Sequence, residues 1–151
     1  MSAPPASTSG LIDELREAVD SAAVSTDPTR LDECSVDAYW KAIAARAAGA
    51  PLGCPDVVVS PSSEEEVAAV IRIANDHRMP VVPRGGGSGT QGGAVPVAGG
   101  IVLDLGRLDR ILAVDEESLT VTAEAGVNGK RLESELNERG LMLPHYPASA
   151  E

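Results

Sequence analysis

Along the chain the spacing of apolar positions changes several times, and each change marks an element. Leu11, Ile12, Leu15 and Val19 share one stripe at helical spacing, which predicts a helix through LIDELREAVD. STDPTRLDECS reads as a turn-rich connector, because the residue before Pro28 is disfavoured in helix. The Ala-rich VDAYWKAIAARAAGA permits another helix, ended by Gly49 and Pro51. PDVVVS then gives a short β-branched strand. PSSEEEVAAVIRIANDH predicts a helix with Ser62 as N-cap, Glu65 in the capping-box position and three glutamates suited to the first-turn dipole. Its buried face is expected to be Val67, Val70, Ile71 and Ala74, with His77 as a cation at its C-terminal end. MPVVP returns as a strand, so strand, helix and strand form a βαβ crossover.

Beyond a glycine-rich segment, GIVLDLG reads as a third strand. In the hairpin that follows, RILAVD–EE–SLTVTAEA, Leu119, Val121 and Ala123 alternate with Thr120, Thr122 and Glu124. Asn128 caps a last helix carrying Leu132 and Leu136, which Gly140 terminates. The pattern is of the α+β class, without internal repeats. The Ser/Pro/Ala-rich residues 1–10 are expected to be disordered, and 11–55 to form a helical and connector segment.

Composition narrows the function. The chain has 151 residues, no Phe, one Trp and two Tyr, so its core must be aliphatic. No apolar run approaches the ~20 residues of a membrane span. A formal net charge of −11 argues against nucleic acid, whose recognition begins with a basic face. Cys34 and Cys54 stand apart, without a C-x-x-C pair, and His77 and His145 are the two histidines, so metal-ligand spacing is absent. The glutamate run is a solvated helix turn rather than a metal site. Two ordinary thiols and an N-terminus without a basic and apolar leader point to a cytoplasmic protein.

The chemistry therefore rests on VPRGGGSGTQGG, residues 82–93. Gly87-Ser-Gly-Thr-Gln-Gly92 matches G-x-G-x-x-G, yet a Rossmann turn must open a helix, and Gly93, Pro96, Gly99 and Gly100 exclude one. A Walker loop needs a following Lys-Ser/Thr, and GVNGKR at 126–131 has the wrong spacing. The protein-kinase set is missing too. A flexible linker is the plain alternative. Against it, the segment leaves a strand through Pro83-Arg84 and interleaves glycines with Ser88 and Thr90. Successive backbone N–H groups of this kind can form a concave nest for an anion such as pyrophosphate.

Pro83-Arg-Gly-Gly-Gly-Ser-Gly-Thr after a βαβ unit resembles the pyrophosphate loop of FAD-linked oxidases of the vanillyl-alcohol oxidase type, whose FAD-binding domain is called PCMH-type. The branch is that of glycolate oxidase subunits, D-lactate dehydrogenases and alkyldihydroxyacetonephosphate synthases. PDVVVSPSSEEEVAAVIRIA, GGIVLDLGRLDRILAVDEESLTVTAEAGV and LPHYPAS follow the same order, over about residues 25–151. The resemblance implies that 56–151 is the N-terminal part of such a domain: a βαβ unit followed by antiparallel strands and a helix. It implies that Arg84, Gly85, Gly86, Gly87, Ser88, Gly89, Thr90 and Gln91 cradle the FAD pyrophosphate. Gly92 and Gly93 would turn the chain away, and Gly126, Val127, Pro147, Ala148 and Ser149 would approach the ribityl–flavin end. Ser88 stands where some relatives place a flavin-linking histidine, so dissociable FAD is expected.

Tyr146 replaces an aspartate common in the family, and HYPAS leans toward the alkyldihydroxyacetonephosphate synthase-like branch. The implied parent reaction is oxidation of a 2-hydroxy acid such as glycolate or lactate by hydride transfer to flavin. The family's catalytic and substrate-binding residues lie in a region expected beyond Glu151, so the chain alone is expected to turn over little or no substrate. His145 is expected to line a pocket or the surface. The alternatives are a truncated, non-catalytic protein, a small subunit or homo-oligomer that completes its flavin site with a partner chain, or a fragment of an ether-lipid enzyme.

Overall fold

In the computed structural model, which describes residues 8–145, a short four-stranded sheet carries the core and a separate hairpin follows it. The elements in order are α1 (Thr8–Ala18), β1 (Val24–Ser25), α2 (Pro28–Glu33), α3 (Trp40–Ala47), β2 (Val57–Val59), α4 (Glu64–His77), β3 (Val81–Arg84), β4 (Ile101–Asp104), β5 (Ile111–Asp115), β6 (Thr120–Ala123) and α5 (Gly129–Glu138). The first helix starts at Thr8, so it takes in three residues that composition grouped with the N-terminal stretch.

The sheet order is β1-β2-β4-β3. Strands β2, β4 and β3 run parallel, with Val58 opposite Val102 and Val82 opposite Val102, while β1 joins β2 antiparallel through Val24 and Val59. The expected βαβ unit is therefore present, but its two strands are not neighbours, because β4 inserts between them. Alternation along the strands separates two layers. Val57, Val59, Ile101 and Leu103 pack with Leu11, Leu15, Val19, Val70 and Ala74 of the α1–α4 layer. Val58 and Val102 face the other way, against Cys34, Leu31 and Val82. Burial in this second layer pushes the Cys34 thiol above its ordinary pKa. Both cysteines are free.

Several local expectations are corrected. Asp27 stays out of helix, as expected before Pro28, but the connector is not all turns, because Asp27 caps the short helix α2. It is extended (φ −63°, ψ 127°), its carboxylate accepts from Thr29 N and Arg30 N, and Pro28 occupies the first helical position, where no N–H is needed. The cap of α4 is Ser63, one residue later than expected: its Oγ accepts from Glu66 N at 3.2 Å. Glu66, not Glu65, reaches back and accepts from Ser62 N at 2.6 Å and Ser62 Oγ at 3.0 Å. On the buried face of α4, Ile71 is 37 % exposed and Ile73 packs in its place. His77 sits in the last turn and meets Glu14 of α1 at 3.0 Å, so it ties two helices together.

The β5–β6 ladder forms as read, except that Leu119 lies in the turn with φ 54° and is 72 % exposed. Asn128 caps α5 through Arg131 N, and Gly140 ends it in the left-handed conformation (φ 73°). Among the described residues no helix is long and apolar enough to cross a membrane.

Candidate functional site

The glycine segment leaves the carboxyl end of β3 beside the carboxyl end of β4, with Arg84 opposite Asp104. In open sheets of parallel strands this end is where ligands collect. Leu105 N donates to the Arg84 carbonyl at 2.8 Å and closes the ladder, and residues 85–100 between the two strands run through bends and turns without a helix. Among the described residues, none accepts a hydrogen bond from the backbone N–H groups of residues 85–91. Folded chains normally pair such groups or give them to water or ligand. A run of consecutive free donors at one strand end is the arrangement that binds anions.

The glycines divide by what constrains them. Gly87 has φ +66°, and a Cβ there would collide with the Arg84 guanidinium, which lies over it. Gly85, Gly86 and Gly93 have ordinary φ and open space where a Cβ would stand, so nothing among the described residues requires glycine at these positions. An incoming ligand that must approach the backbone closely does require it. Ser88, Gly89, Thr90 and Gln91 continue the exposed rim. The loop thus fits a pyrophosphate by its donors and by the room above its first two glycines.

Arg84 itself is engaged. Its Nη1 donates to the Val36 carbonyl at 2.7 Å, so the guanidinium shapes the loop rather than standing free above it. Gly126 is also accounted for internally. Its N–H donates to the Leu108 carbonyl at 2.8 Å, and a Cβ would collide with the Leu105 carbonyl. Pro147, Ala148 and Ser149 lie outside the described residues.

Below the loop lies a group the sequence reading passed over. Asp37 is 4 % exposed; its carboxylate accepts from Tyr39 N at 2.9 Å and from Ala94 N at 3.4 Å. The only signal in the sequence was an acid set beside Val36 and the aromatic pair Tyr39-Trp40, which a helical reading of that stretch absorbed. A second cluster rivets α2 to the sheet. Arg30 pairs with Asp104, whose carboxylate also accepts from Ser60 Oγ at 3.4 Å and Gly106 N at 3.0 Å.

Comparison with known proteins agrees with this geometry. A family model described as FAD binding domain matches residues 55–151. The chain is 38% identical over 95 residues to the glycolate oxidase subunit GlcD of Bacillus subtilis, covering 63% of this chain and 20% of the relative. It is 39% identical over 95 residues to a probable mitochondrial D-lactate dehydrogenase of Danio rerio, covering 63% of this chain and 19% of that protein. The chain thus spans about a fifth of the length of these curated relatives. A solved alkyldihydroxyacetonephosphate synthase superposes with a TM-score of 0.85 at 26% identity, over 99% of this chain and 30% of its own. A solved p-cresol methylhydroxylase shares the fold with a TM-score of 0.78 at 23% identity, over 95% of this chain and 27% of its own. With the glycine loop at the strand ends and the family model covering residues 55–151 around it, the chain belongs to the FAD binding domain family of FAD-dependent oxidoreductases and forms the N-terminal part of a PCMH-type fold.

Proposed function

We propose that residues 84–91 hold the pyrophosphate of a dissociable FAD, and that the protein serves the oxidation of a 2-hydroxy acid such as glycolate or lactate. The observation that carries the reading is the run of N–H donors from Gly85 to Gln91 that have no acceptor among the described residues, with open space above Gly85 and Gly86. Backbone dipoles suit this chain, because a net charge of −11 gives an anion no help at long range. Ser88 offers a hydroxyl where covalently flavinylated relatives offer an imidazole, which supports non-covalent binding. The family resemblance, rather than any contact in the structure, assigns Gly126 and Val127 to the ribityl–flavin end of the site. Bound FAD supplies a two-electron acceptor for the substrate's α-hydrogen; the chain's own residues bind and orient it. The names of the glycolate and D-lactate relatives support this substrate class.

Flavin titration tests the loop assignment. Gly86→Val is expected to weaken FAD binding at least about tenfold, or about 1.4 kcal/mol, while the thermal midpoint of the FAD-free protein stays in place. Unchanged FAD affinity in this variant would overturn the assignment. The chain alone is expected not to oxidise glycolate or lactate. An apolar groove of about 410 Å³ lies between the hairpin and α5, lined by Val114, Leu119, Val121, Leu136, Leu141 and Met142.

A further inference from the structure

We infer that the segment Val36–Tyr39, which lies before the matched residues 55–151, is a brace that sets the shape of the FAD loop, with Asp37 as its positioning residue. This rests on the reading of the loop as the pyrophosphate site. Three contacts from four consecutive residues meet the loop at its start, middle and end. The Val36 carbonyl accepts from Arg84 Nη1 at 2.7 Å, which fixes the guanidinium over Gly87. The Asp37 carboxylate accepts from Ala94 N at 3.4 Å, and its Oδ2 lies 3.6 Å from where a Cβ of Gly89 would stand. The Tyr39 ring closes on Gly92, with Cδ1 3.0 Å from where a Cβ would stand.

Asp37 also binds its own segment, because Tyr39 N donates to Oδ1 at 2.9 Å. One buried carboxylate therefore joins the brace to the loop, with no ion-pair partner among the described residues. A glycine-rich loop left to itself samples many conformations. Fixing it at these points leaves the N–H groups of residues 85–91 without acceptors among the described residues while restricting the loop, so less ordering is needed when the ligand binds.

The charge of Asp37 makes the inference testable, because a carboxylate this close to an anion site opposes a pyrophosphate by Coulomb repulsion. If Asp37 acted only through its charge, Asp37→Asn would tighten FAD binding. As a brace it does the reverse: one amide oxygen replaces two carboxylate acceptors, and the amide N–H2 faces a donor.

The experiment measures FAD affinity and amide exchange at Ala94 and Val95, the hydrogen-bonded amides at the end of the loop, in the full chain, for wild type, Asp37→Asn and Asp37→Ala. The brace predicts about tenfold weaker FAD binding and faster loop exchange in Asp37→Ala. Asp37→Asn is expected between that variant and wild type, with exchange in β2 and β4 unchanged. Tighter FAD binding in Asp37→Asn overturns the inference. So does a loss of thermal stability with loop exchange and affinity unaltered. Should Asp37→Ala not fold, Arg84→Met removes the brace at its other end and must speed the same exchange. A wild-type chain that binds no FAD would sink the functional reading, while the exchange comparison would still decide the brace.

Discussion

Gly85 and Gly87 stand two residues apart and carry glycine for different reasons. At Gly87 the reason is internal: φ is +66° and the Arg84 guanidinium fills the space of a Cβ. Gly87→Ala is expected to cost about 1–2 kcal/mol for the left-handed backbone, with more for the displaced guanidinium, and urea unfolding measures it. Gly85 has neither constraint. Gly85→Ala should leave unfolding within about 0.5 kcal/mol of wild type and show its effect only with FAD present. The glycine run in the sequence made the loop visible, but the letters alone did not sort these two roles. Arg84 shows the same limit. The letters placed its fixed charge after Pro83 but did not show that one of its donors, Nη1, reaches the Val36 carbonyl across 48 positions of sequence.

Among the elements, helix α4 was legible almost to the residue because cap, acidic first turn and apolar stripe agree. The error of one position arose from two adjacent serines with equal capping chemistry. Ser63 is extended and bonds Glu66 N, while Ser62 receives the carboxylate of Glu66. Ser63→Ala is expected to cost about 1 kcal/mol, read by chemical denaturation.

The Ser62 N–H is the main group holding the Glu66 carboxyl below its ordinary pKa of 4.5. A depressed folded value means that the stabilisation is present above about pH 4.5 and is lost as pH falls through the folded pKa. Glu66→Gln should therefore lower stability near neutrality and flatten its decline in acid. Strand β1 escaped the sequence reading because two residues carry no period, and α2 escaped because Asp27-Pro28 spells both a break and a cap.

At the scale of the molecule, the parallel strands put the loop and the Arg30–Asp104 rivet at one end of the sheet. The sequence pattern indicated a βαβ crossover but left its place in the sheet open; the chain crosses over so that β4 lies between β2 and β3, a long-range choice that no local pattern encodes. The same folding brings Val36–Tyr39 beneath a loop some fifty residues downstream. The site therefore belongs to two parts of the chain, only one of which the family model matches.

Binding of a pyrophosphate by the backbone donors of the glycine loop is tested most directly by comparing FAD with FMN in parallel titrations of the chain. FMN carries the same isoalloxazine but lacks the pyrophosphate and adenosine. FAD is expected to bind at least about a hundredfold more tightly, a difference of about 2.7 kcal/mol, and ADP is expected to compete with it. Equal affinities for FAD and FMN, with no competition from ADP, would contradict the assignment of the glycine loop.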